Sequence, residues 1–290
     1  MTDEAPVRPL RSALFVPGDK PRAIEKAPSL GADALMLDLE DAVAAPRKAE
    51  ARAGAPDAIA SFKACGALAV LRVAEPDSAD LSADLECARQ AGPHAVLVAK
   101  TDHPDQLAAI RTALDGEGPR PALWAMIETP SAILNLDAFA RAGSVLNLTA
   151  LVAGANDLAE QLRLPESARR SGCEPHLARL VLAARAGGMA ALDGVYNAYT
   201  DAAGFDAEAA AGRAMGFDGK TLIHPSQVGP ANAAFAPSAA ELAWARKVTA
   251  AFADTANAGQ GAVALDGRMI EAMHLRQARA ILAADPDKKD

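Results

Sequence analysis

The chain has 290 residues, of which 51% are hydrophobic and 23% are charged, and its formal net charge is −8. This composition excludes a disordered chain, a collagen and a coiled coil, and it provides enough apolar residues for a large buried core. An acidic chain is a poor candidate for binding nucleic acid or an anionic membrane surface. We therefore expect a globular protein that binds neither.

Cysteine usage and the first residues give an expectation about the compartment. Cys65, Cys87 and Cys173 lie far apart and none belongs to a C-x-x-C motif, which excludes a disulfide framework and a cysteine zinc site. The first ten residues have no apolar stretch typical of a signal peptide. No segment approaches the roughly 18 consecutive apolar residues of a membrane-spanning helix. We expect a reduced, cytoplasmic protein.

Short apolar runs alternate with longer segments of helical spacing over most of the chain. The predicted strands are Ser12–Val16, Ala34–Leu37, Ala67–Val73, Ala95–Ala99, Ala122–Ile127, Thr149–Ala153, Met189–Val195 and Lys220–Ile223. Helices between them include Pro21–Leu30, Pro46–Lys63, Leu81–Ala91, Pro104–Leu114, Ile133–Arg141 and His176–Gly187. This alternation favours an α/β fold, a (β/α)8 TIM barrel. A doubly wound open sheet is the alternative.

The pattern changes after Ile223, where prolines interrupt the chain. A helix is predicted over Ser238–Ala256, because Glu241 stands where the glutamate of a capping box stands. A last helix is predicted over Ile270–Ala283. These segments look like an addition to a barrel that is already complete.

We therefore divide the chain into a barrel at residues 1–230 and a C-terminal helical lid segment at residues 231–290. We expect this extension to cover the site of a neighbouring subunit, in a homotrimer or a hexamer.

Polar or charged residues follow every predicted strand. The active site of such a barrel lies at the carboxyl ends of its strands. The residues at these ends include Lys20, Asp38, Glu40, Asp41, Arg72, Lys100, Glu128, Asn156, Asp157, Asp193 and His224. We predict that they face one common site.

Some of these residues also have a simpler explanation. Glu40 and Asp41 fit a solvated turn followed by a helix, and Glu128 and Asp157 fit helix caps. Lys100 fits a surface residue at the end of a strand.

For Arg72 and His224 the sequence leaves two interpretations open. Arg72 ends an apolar strand, where an unpaired cation is costly to bury. It therefore either pairs with a barrel carboxylate or is held for an anionic substrate. His224 precedes a proline, and a residue packed beside the site is a better fit than a ligand.

Glu128 and Asp157 follow neighbouring strands, and together with water and a substrate carboxylate they suit Mg²⁺. The chain has no H-x-H or H-x-x-x-H spacing for zinc, and no G-x-S-x-G, G-x-G-x-x-G or Walker A motif. Lys20, Arg22 and Lys26 form a basic cluster that could meet phosphates, although exposed basic residues on a helix are usually only solvated.

Seven motifs resemble the citrate lyase β-subunit-like family, the acyl-CoA lyase branch of the Mg²⁺-dependent (β/α)8 carbon–carbon lyases. They are R-S-A-L-F-V-P-G at Arg11–Gly18, L-D-L-E-D-A-V at Leu37–Val43, L-R-V at Leu71–Val73, M-I-E-T-P at Met126–Pro130, G-A-N-D-L at Gly154–Leu158, G-F-D-G-K-T-L-I-H-P-S-Q at Gly216–Gln227 and D-G-R-M-I-E at Asp266–Glu271. The resemblance extends over nearly the whole chain.

The resemblance implies retro-Claisen cleavage of a β-hydroxyacyl-CoA thioester, such as citramalyl-, malyl- or citryl-CoA, to acetyl-CoA and a 2-oxo acid. It implies Mg²⁺ held by Glu128 and Asp157. Arg72 matches the arginine that steadies the thioester enolate, and Asp38 fits a carboxylate that orients metal-bound water. Positions at the CoA site match Phe15, Lys20, Lys26, Ile223 and His224.

The chain departs from the family at three positions. Glu271 stands where lyases of the family have an aspartate that serves as acid/base from a neighbouring subunit. Ala74 and Asn156 replace residues that are often asparagine and acidic, respectively. We expect Glu271 to do the work of that aspartate with an adjusted backbone.

Three alternatives remain open beside the carbon–carbon lyase. The chain could be the β subunit of a citrate lyase complex that acts on a carrier-protein thioester. It could be a malyl-CoA thioesterase, in which water intercepts the acyl group. It could also be a catalytically weak acyl-CoA-binding barrel.

Overall fold

Eight parallel strands close into a barrel within residues 10–235. The computed structural model describes residues 9–116, 120–254 and 260–285. The strands are β1 Ser12–Pro17, β2 Ala34–Asp38, β3 Leu68–Val73, β4 Ala95–Val98, β5 Ala122–Ile127, β6 Leu148–Ala153, β7 Ala190–Asp193 and β8 Gly219–Leu222. β8 pairs with β1, with Ser12 opposite Lys220, which closes the ring. The predicted (β/α)8 fold is confirmed.

Most of the strands are continuous apolar runs because both of their faces are buried, and the exceptions include Arg72 on β3 and Lys220 on β8. On β2, Met36 packs inside the barrel with Val70 and Trp124. Leu35 and Leu37 face the opposite way, into the core between the strands and the helices. A sheet covered on both faces needs such continuous apolar runs, which is why the strand positions were readable from the sequence.

Helices cover the outside of the barrel. They are α1 Pro21–Lys26, α2 Lys48–Ala64, α3 Leu81–Ala91, α4 Pro104–Leu114, α5 Pro130–Leu134, α6 Leu136–Leu146, α7 Ala155–Gln161, α8 Arg169–Ala186, α9 Ala202–Met215 and α10 Val228–Phe235. The sequence analysis missed α9, which is rich in alanine and buries few large side chains. Asp201 marks its start, because the Asp201 carboxylate accepts a hydrogen bond from the Gly204 N–H.

The same helix-start motif, H-P-x-Q, follows both β4 and β8. After β4, Gln106 Oε1 accepts hydrogen bonds from the N–H groups of Asp102 and His103 at 2.9 and 3.1 Å. After β8, Gln227 Oε1 accepts from the N–H groups of Ile223 and His224 at 3.1 and 3.2 Å. In each motif the histidine ring also caps a main-chain N–H two residues later. The two connections are therefore held by the same set of bonds.

Asp193 does not belong to the rim where the sequence analysis placed it. It lies behind the barrel wall with Lys220, and both side chains are fully buried. Lys220 Nζ lies 3.0 Å from Asp193 and 2.7 Å from Glu208, and Arg170 lies 2.7 Å from Asp193. A buried lysine needs such partners, and they join β7, β8, α8 and α9.

The remaining described residues, from 236 onward, form a second compact unit. It contains α11 Ala239–Ala253, the antiparallel pair β9 Ala262–Leu265 and β10 Arg268–Glu271, and α12 Ala272–Ala283. Its own small core includes Val248, Val263 and Ile270.

The elements of this unit begin and end differently from the predicted ones. The last helix begins at Ala272, because the preceding residues pair as a strand. Residues 255 and 256 of the predicted Ser238–Ala256 helix lie outside the described residues.

The division between the two units falls five residues later than the predicted one at 230. α10 stays with the barrel, since Asn232 accepts a hydrogen bond from Ser12 Oγ and donates one to the Gly31 carbonyl. Coverage of a neighbouring subunit by the C-terminal segment stays a prediction. In the part of the chain that the structure describes, none of the helices has the length and apolarity needed to cross a membrane.

We predict that Asp193→Asn destabilises the barrel in a pH-dependent manner. Burial alone would raise the pKa of Asp193, but Lys220 and Arg170 outweigh it and hold the pKa below its usual value. The carboxylate then stabilises the fold above its unfolded-state pKa of about 3.9, and the effect is lost as the pH falls through its lower folded-state pKa. At pH 7 we expect a loss of about 3 kcal/mol in the free energy of unfolding, measured by denaturant unfolding.

Asp137→Asn is the matched control, because Asp137 forms an exposed ion pair with Arg141 on one helix. Exposed pairs contribute little, so this variant should unfold like the wild type. Equal stability of Asp193→Asn and wild type at pH 7 would contradict the account of the buried network.

Candidate active site

A cavity of about 360 Å³ opens at the carboxyl ends of the strands. Each strand except β4 contributes a residue to the wall of the cavity, at or just after the carboxyl end of the strand. The lining includes Phe15, Asp38, Asp41, Arg72, Met126, Gly154, Asn156, Asp157, Val195 and Ile223. Seven of the predicted residues therefore meet at one pocket, namely Phe15, Asp38, Asp41, Arg72, Asn156, Asp157 and Ile223.

Arg72 is the buried cation of this pocket. Its guanidinium donates to both oxygens of Asp38, at 2.7 and 2.6 Å, and lies 3.1 Å from Glu40. It also stacks over the ring of Phe15, 4.8 Å from the ring centre. Burial by itself would lower the pKa of Arg72, but Asp38, Glu40 and Asp41 outweigh burial and raise it. Arg72 thus both pairs with a barrel carboxylate and faces the cavity.

Asp38 holds the arginine and the turn that follows β2. Besides Arg72, its carboxylate accepts hydrogen bonds from the N–H groups of Glu40 and Ala42. The sequence analysis expected it to orient metal-bound water. The structure places its oxygens on Arg72 and the main chain, and the predicted role toward metal-bound water stays a prediction.

Lys100 completes an ion cluster with Glu40 and Asp41. Its Nζ lies 2.9 Å from Glu40 and 3.5 Å from Asp41. Burial raises the pKa of Glu40. For Asp41, which is more exposed, burial is outweighed by its hydrogen bond with Glu40 and by Arg72 and Lys100, which lower the pKa. Asp41 is the ionised, accessible carboxylate of the pair.

Glu128 lies almost fully buried at the end of β5. Its Oε1 accepts a hydrogen bond of 2.8 Å from the Lys100 N–H, whereas its Oε2 is buried and has no hydrogen-bond partner among the described residues. Burial, and then the charge of Asp157, raise the pKa of Glu128 to about 8. Gly154 lies so close to Glu128 that a β-carbon there would collide with its side chain.

The carboxylates of Glu128 and Asp157 fit a divalent cation. Among the described residues, no group of three or more His, Cys, Asp or Glu side chains is arranged to hold a metal ion. Mg²⁺ does not need such a cage, because it is usually bound by one or two carboxylates while keeping several water molecules. Glu128 Oε2 has no hydrogen-bond partner among the described residues, and the charge of Asp157 disfavours the ionised form of Glu128. A bound cation would give Oε2 a partner and offset the repulsion between the two carboxylates.

Other predicted residues lie outside the pocket wall. Lys20 is exposed and pairs with Asp19 at 3.2 Å, and Lys26 is exposed at the end of α1. His224 stacks on Tyr199 with ring centres 4.5 Å apart and bonds to Ser226. The CoA-binding roles of these residues stay predictions.

Glu271 belongs to the second unit. It lies at the start of α12, where its N–H donates to the His274 ring at 3.0 Å. Its predicted acid/base role also stays a prediction.

Three residues at or beside the pocket were not predicted from the sequence. Met126 and Val195 line it, and Asn197 exchanges two hydrogen bonds with the predicted Asn156 across the β6 and β7 connections. For Met126 a signal was present, since alternate residues of a barrel strand face inward. For Asn197 the sequence offered none, because nothing local to it indicates a partner some forty residues away.

Comparison with known proteins identifies the family. A model of the HpcH/HpaI aldolase/citrate lyase family matches residues 11–225, and the chain belongs to this family. The CitE protein of Mycobacterium tuberculosis, solved in complex with magnesium, acetoacetate and coenzyme A, is 31% identical. The match covers 93% of this chain and 96% of that protein, with a TM-score of 0.76. The resemblance read from the motifs is confirmed.

The expected carbon–carbon lyase activity is contradicted by the more similar relatives. A (3S)-malyl-CoA thioesterase of Cereibacter sphaeroides is 42% identical over 95% of this chain and 94% of that protein. Citrate lyase subunit beta of Escherichia coli is 34% identical over 95% of this chain and 93% of the subunit. Human mitochondrial citramalyl-CoA lyase is 30% identical over 93% of this chain and 84% of that protein. The expectation was wrong because the motifs identify the family, and the relatives in this family include both a thioesterase and lyases.

We predict that Gly154→Ala destabilises the barrel by overpacking at Glu128, by about 1–3 kcal/mol. The new methyl group has no room on the Glu128 side of the site. Gly54→Ala is the matched control, because no atom lies within 4 Å of a β-carbon there and residue 54 lies inside α2. The control should be neutral or more stable. Thermal unfolding measures both variants, and a Gly154→Ala protein as stable as the control would refute the close approach.

Proposed function

We propose that this member of the HpcH/HpaI aldolase/citrate lyase family hydrolyses a short β-hydroxyacyl-CoA thioester of the malyl-CoA type. The products are free CoA and the hydroxy acid. The observation that carries the proposal is a thioesterase relative with 42% identity over nearly the whole chain. The pocket supports it, because a fixed cation and an ionised carboxylate face one cavity.

Arg72 is suited to stabilise the charge that develops during hydrolysis. When water attacks the thioester carbonyl, the carbonyl oxygen becomes negatively charged. A fixed cation in a site shielded from water stabilises such an oxyanion strongly. Arg72 meets this need, because Asp38 fixes its position and its raised pKa keeps it charged.

Asp41 is suited to accept the proton of the attacking water. It lines the cavity and is more exposed than Glu40, so that a water molecule in the cavity can reach it. The water oxygen forms the new C–O bond, the C–S bond breaks, and the proton passes to the departing thiolate of CoA. Glu40 is buried behind Asp41 and is less suited to this step.

Glu128 and Asp157 would hold Mg²⁺, the ion present in the CitE complex. When bound, Mg²⁺ would supply positive charge to the carboxylate and hydroxyl end of the substrate. The protein's own contribution is to fix Glu128 through the Lys100 N–H and to keep its second oxygen open.

We predict that the protein, incubated with malyl-CoA and Mg²⁺, releases free CoA and malate in equal amounts. Chromatography of the CoA species measures this directly. EDTA should abolish the release, and added Mg²⁺ should restore it, because the ion would supply the positive charge that binds the carboxylate end of the substrate. Formation of acetyl-CoA and glyoxylate in place of free CoA would contradict the proposal.

We predict that Arg72→Lys lowers kcat by about 10²–10³-fold, the effect expected on losing one oxyanion donor. Lysine keeps the charge but cannot bind Asp38 at two points while facing the cavity. Arg141→Lys, an exposed residue paired with Asp137 on α6, is the control and should be fully active. Steady-state kinetics on malyl-CoA provide the comparison, and an unchanged kcat in Arg72→Lys would remove Arg72 from the mechanism.

A further inference from the structure

Lys100 connects two parts of the site that lie on different strands. It follows β4 and has a left-handed main chain, with φ of 46°. Its N–H donates to Glu128 Oε1 over 2.8 Å, after β5. Its Nζ lies 2.9 Å from Glu40 Oε1, after β2. A single residue therefore contacts the ion cluster and the buried Glu128 at once.

The left-handed conformation at Lys100 needs support. It is unfavourable for any residue with a β-carbon, and it persists only where the surroundings hold it. At Lys100 the support comes from the side chain, because the ammonium is tied to Glu40 and also lies 3.5 Å from Asp41. Arg72 fixes Glu40 in turn, at 3.1 Å. Without the ammonium, the main chain is free to turn toward negative φ.

Such a turn would change Glu128. The Lys100 N–H is the hydrogen-bond donor to Glu128 Oε1, and Oε2 has no hydrogen-bond partner among the described residues. With Oε1 held, Oε2 is the oxygen left for a cation beside Asp157. If the N–H turns away, both oxygens lose their fixed places, and a cation must then order the carboxylate itself.

We propose that Lys100 is a positioning residue for the cation site: its ammonium, anchored on Glu40 and Asp41, holds the left-handed main chain whose N–H fixes Glu128. The inference rests on the proposed role of Glu128 as a metal ligand. It concerns how tightly the cation binds before any substrate is present, so it is separable from the hydrolysis reaction.

The experiment compares Mn²⁺ binding by Lys100→Gly, Lys100→Ala, Lys100→Met and the wild type. Free Mn²⁺ is counted by electron paramagnetic resonance, without substrate. The three variants lack the ammonium equally, but only glycine adopts the left-handed conformation without strain. We expect Lys100→Gly to bind within about threefold of the wild type, and Lys100→Ala and Lys100→Met to bind about fivefold or more weakly than Lys100→Gly.

Asn147 supplies the matched control, because it is also left-handed, with φ of 53°, but precedes β6 at the other end of the barrel. Asn147→Gly and Asn147→Ala should both bind Mn²⁺ like the wild type, and thermal unfolding confirms that each variant is folded. Equal binding by the glycine and alanine variants of Lys100 would overturn the inference. No binding by the wild type would instead overturn the proposed metal site itself.

Discussion

The site depends on the ion pair between Arg72 and Asp38. Burying a guanidinium at the end of a strand is costly unless a carboxylate contacts it directly. Asp38 on the adjacent strand makes this contact with both of its oxygens. The same carboxylate binds the main chain of the turn after β2. The placement of Glu40 and Asp41, and through them Lys100, follows from this pair. Removing the charge of Arg72 would leave three neighbouring carboxylates to repel one another.

The carboxylates of the pocket differ in their surroundings more than in their chemistry. Glu128 is buried beside another acid, so its neutral form is favoured, whereas Asp41 is open to the cavity beside two cations, so its charged form is favoured. Glu128 is thus the carboxylate that has no ion-pair partner among the described residues, and Asp41 is the one that already has two. A single architecture serves relatives that break different bonds. These relatives are named as a malyl-CoA thioesterase and a citramalyl-CoA lyase.

The sequence predicted the barrel well because its strands are buried on both faces, and each apolar run ends at a polar residue. Two helices were predicted with the correct first and last residues, Leu81–Ala91 and Pro104–Leu114. Gly92 follows the first of them and Pro104 begins the second, which are typical positions for these residue types. The gathering of Arg72, Asp38 and Asp157 was predictable from the rule that barrel sites lie at strand ends.

Other features depend on three-dimensional packing that no local pattern encodes. Asp193 was misplaced because a strand of four residues does not reveal which way its last side chain turns. The contacts of Lys100 depend on a main-chain conformation unusual for lysine. The malyl-CoA thioesterase stood only as an alternative to the lyase, because the motifs identify the family that both kinds of relative belong to.

The two H-P-x-Q connections have a mechanical consequence. β4 and β8 are four strands apart in a ring of eight, so the two connections stand on opposite sides of the mouth. In each connection, hydrogen bonds join the side chains of a glutamine and a histidine to the main chain nearby. These bonds restrict the main chain of the connection. Between them the mouth has two arcs, one with the acidic turn after β2 and the other with the amide pair of Asn156 and Asn197. The rim is therefore braced at two opposite points, and the charged and amide groups of the pocket lie between these braces.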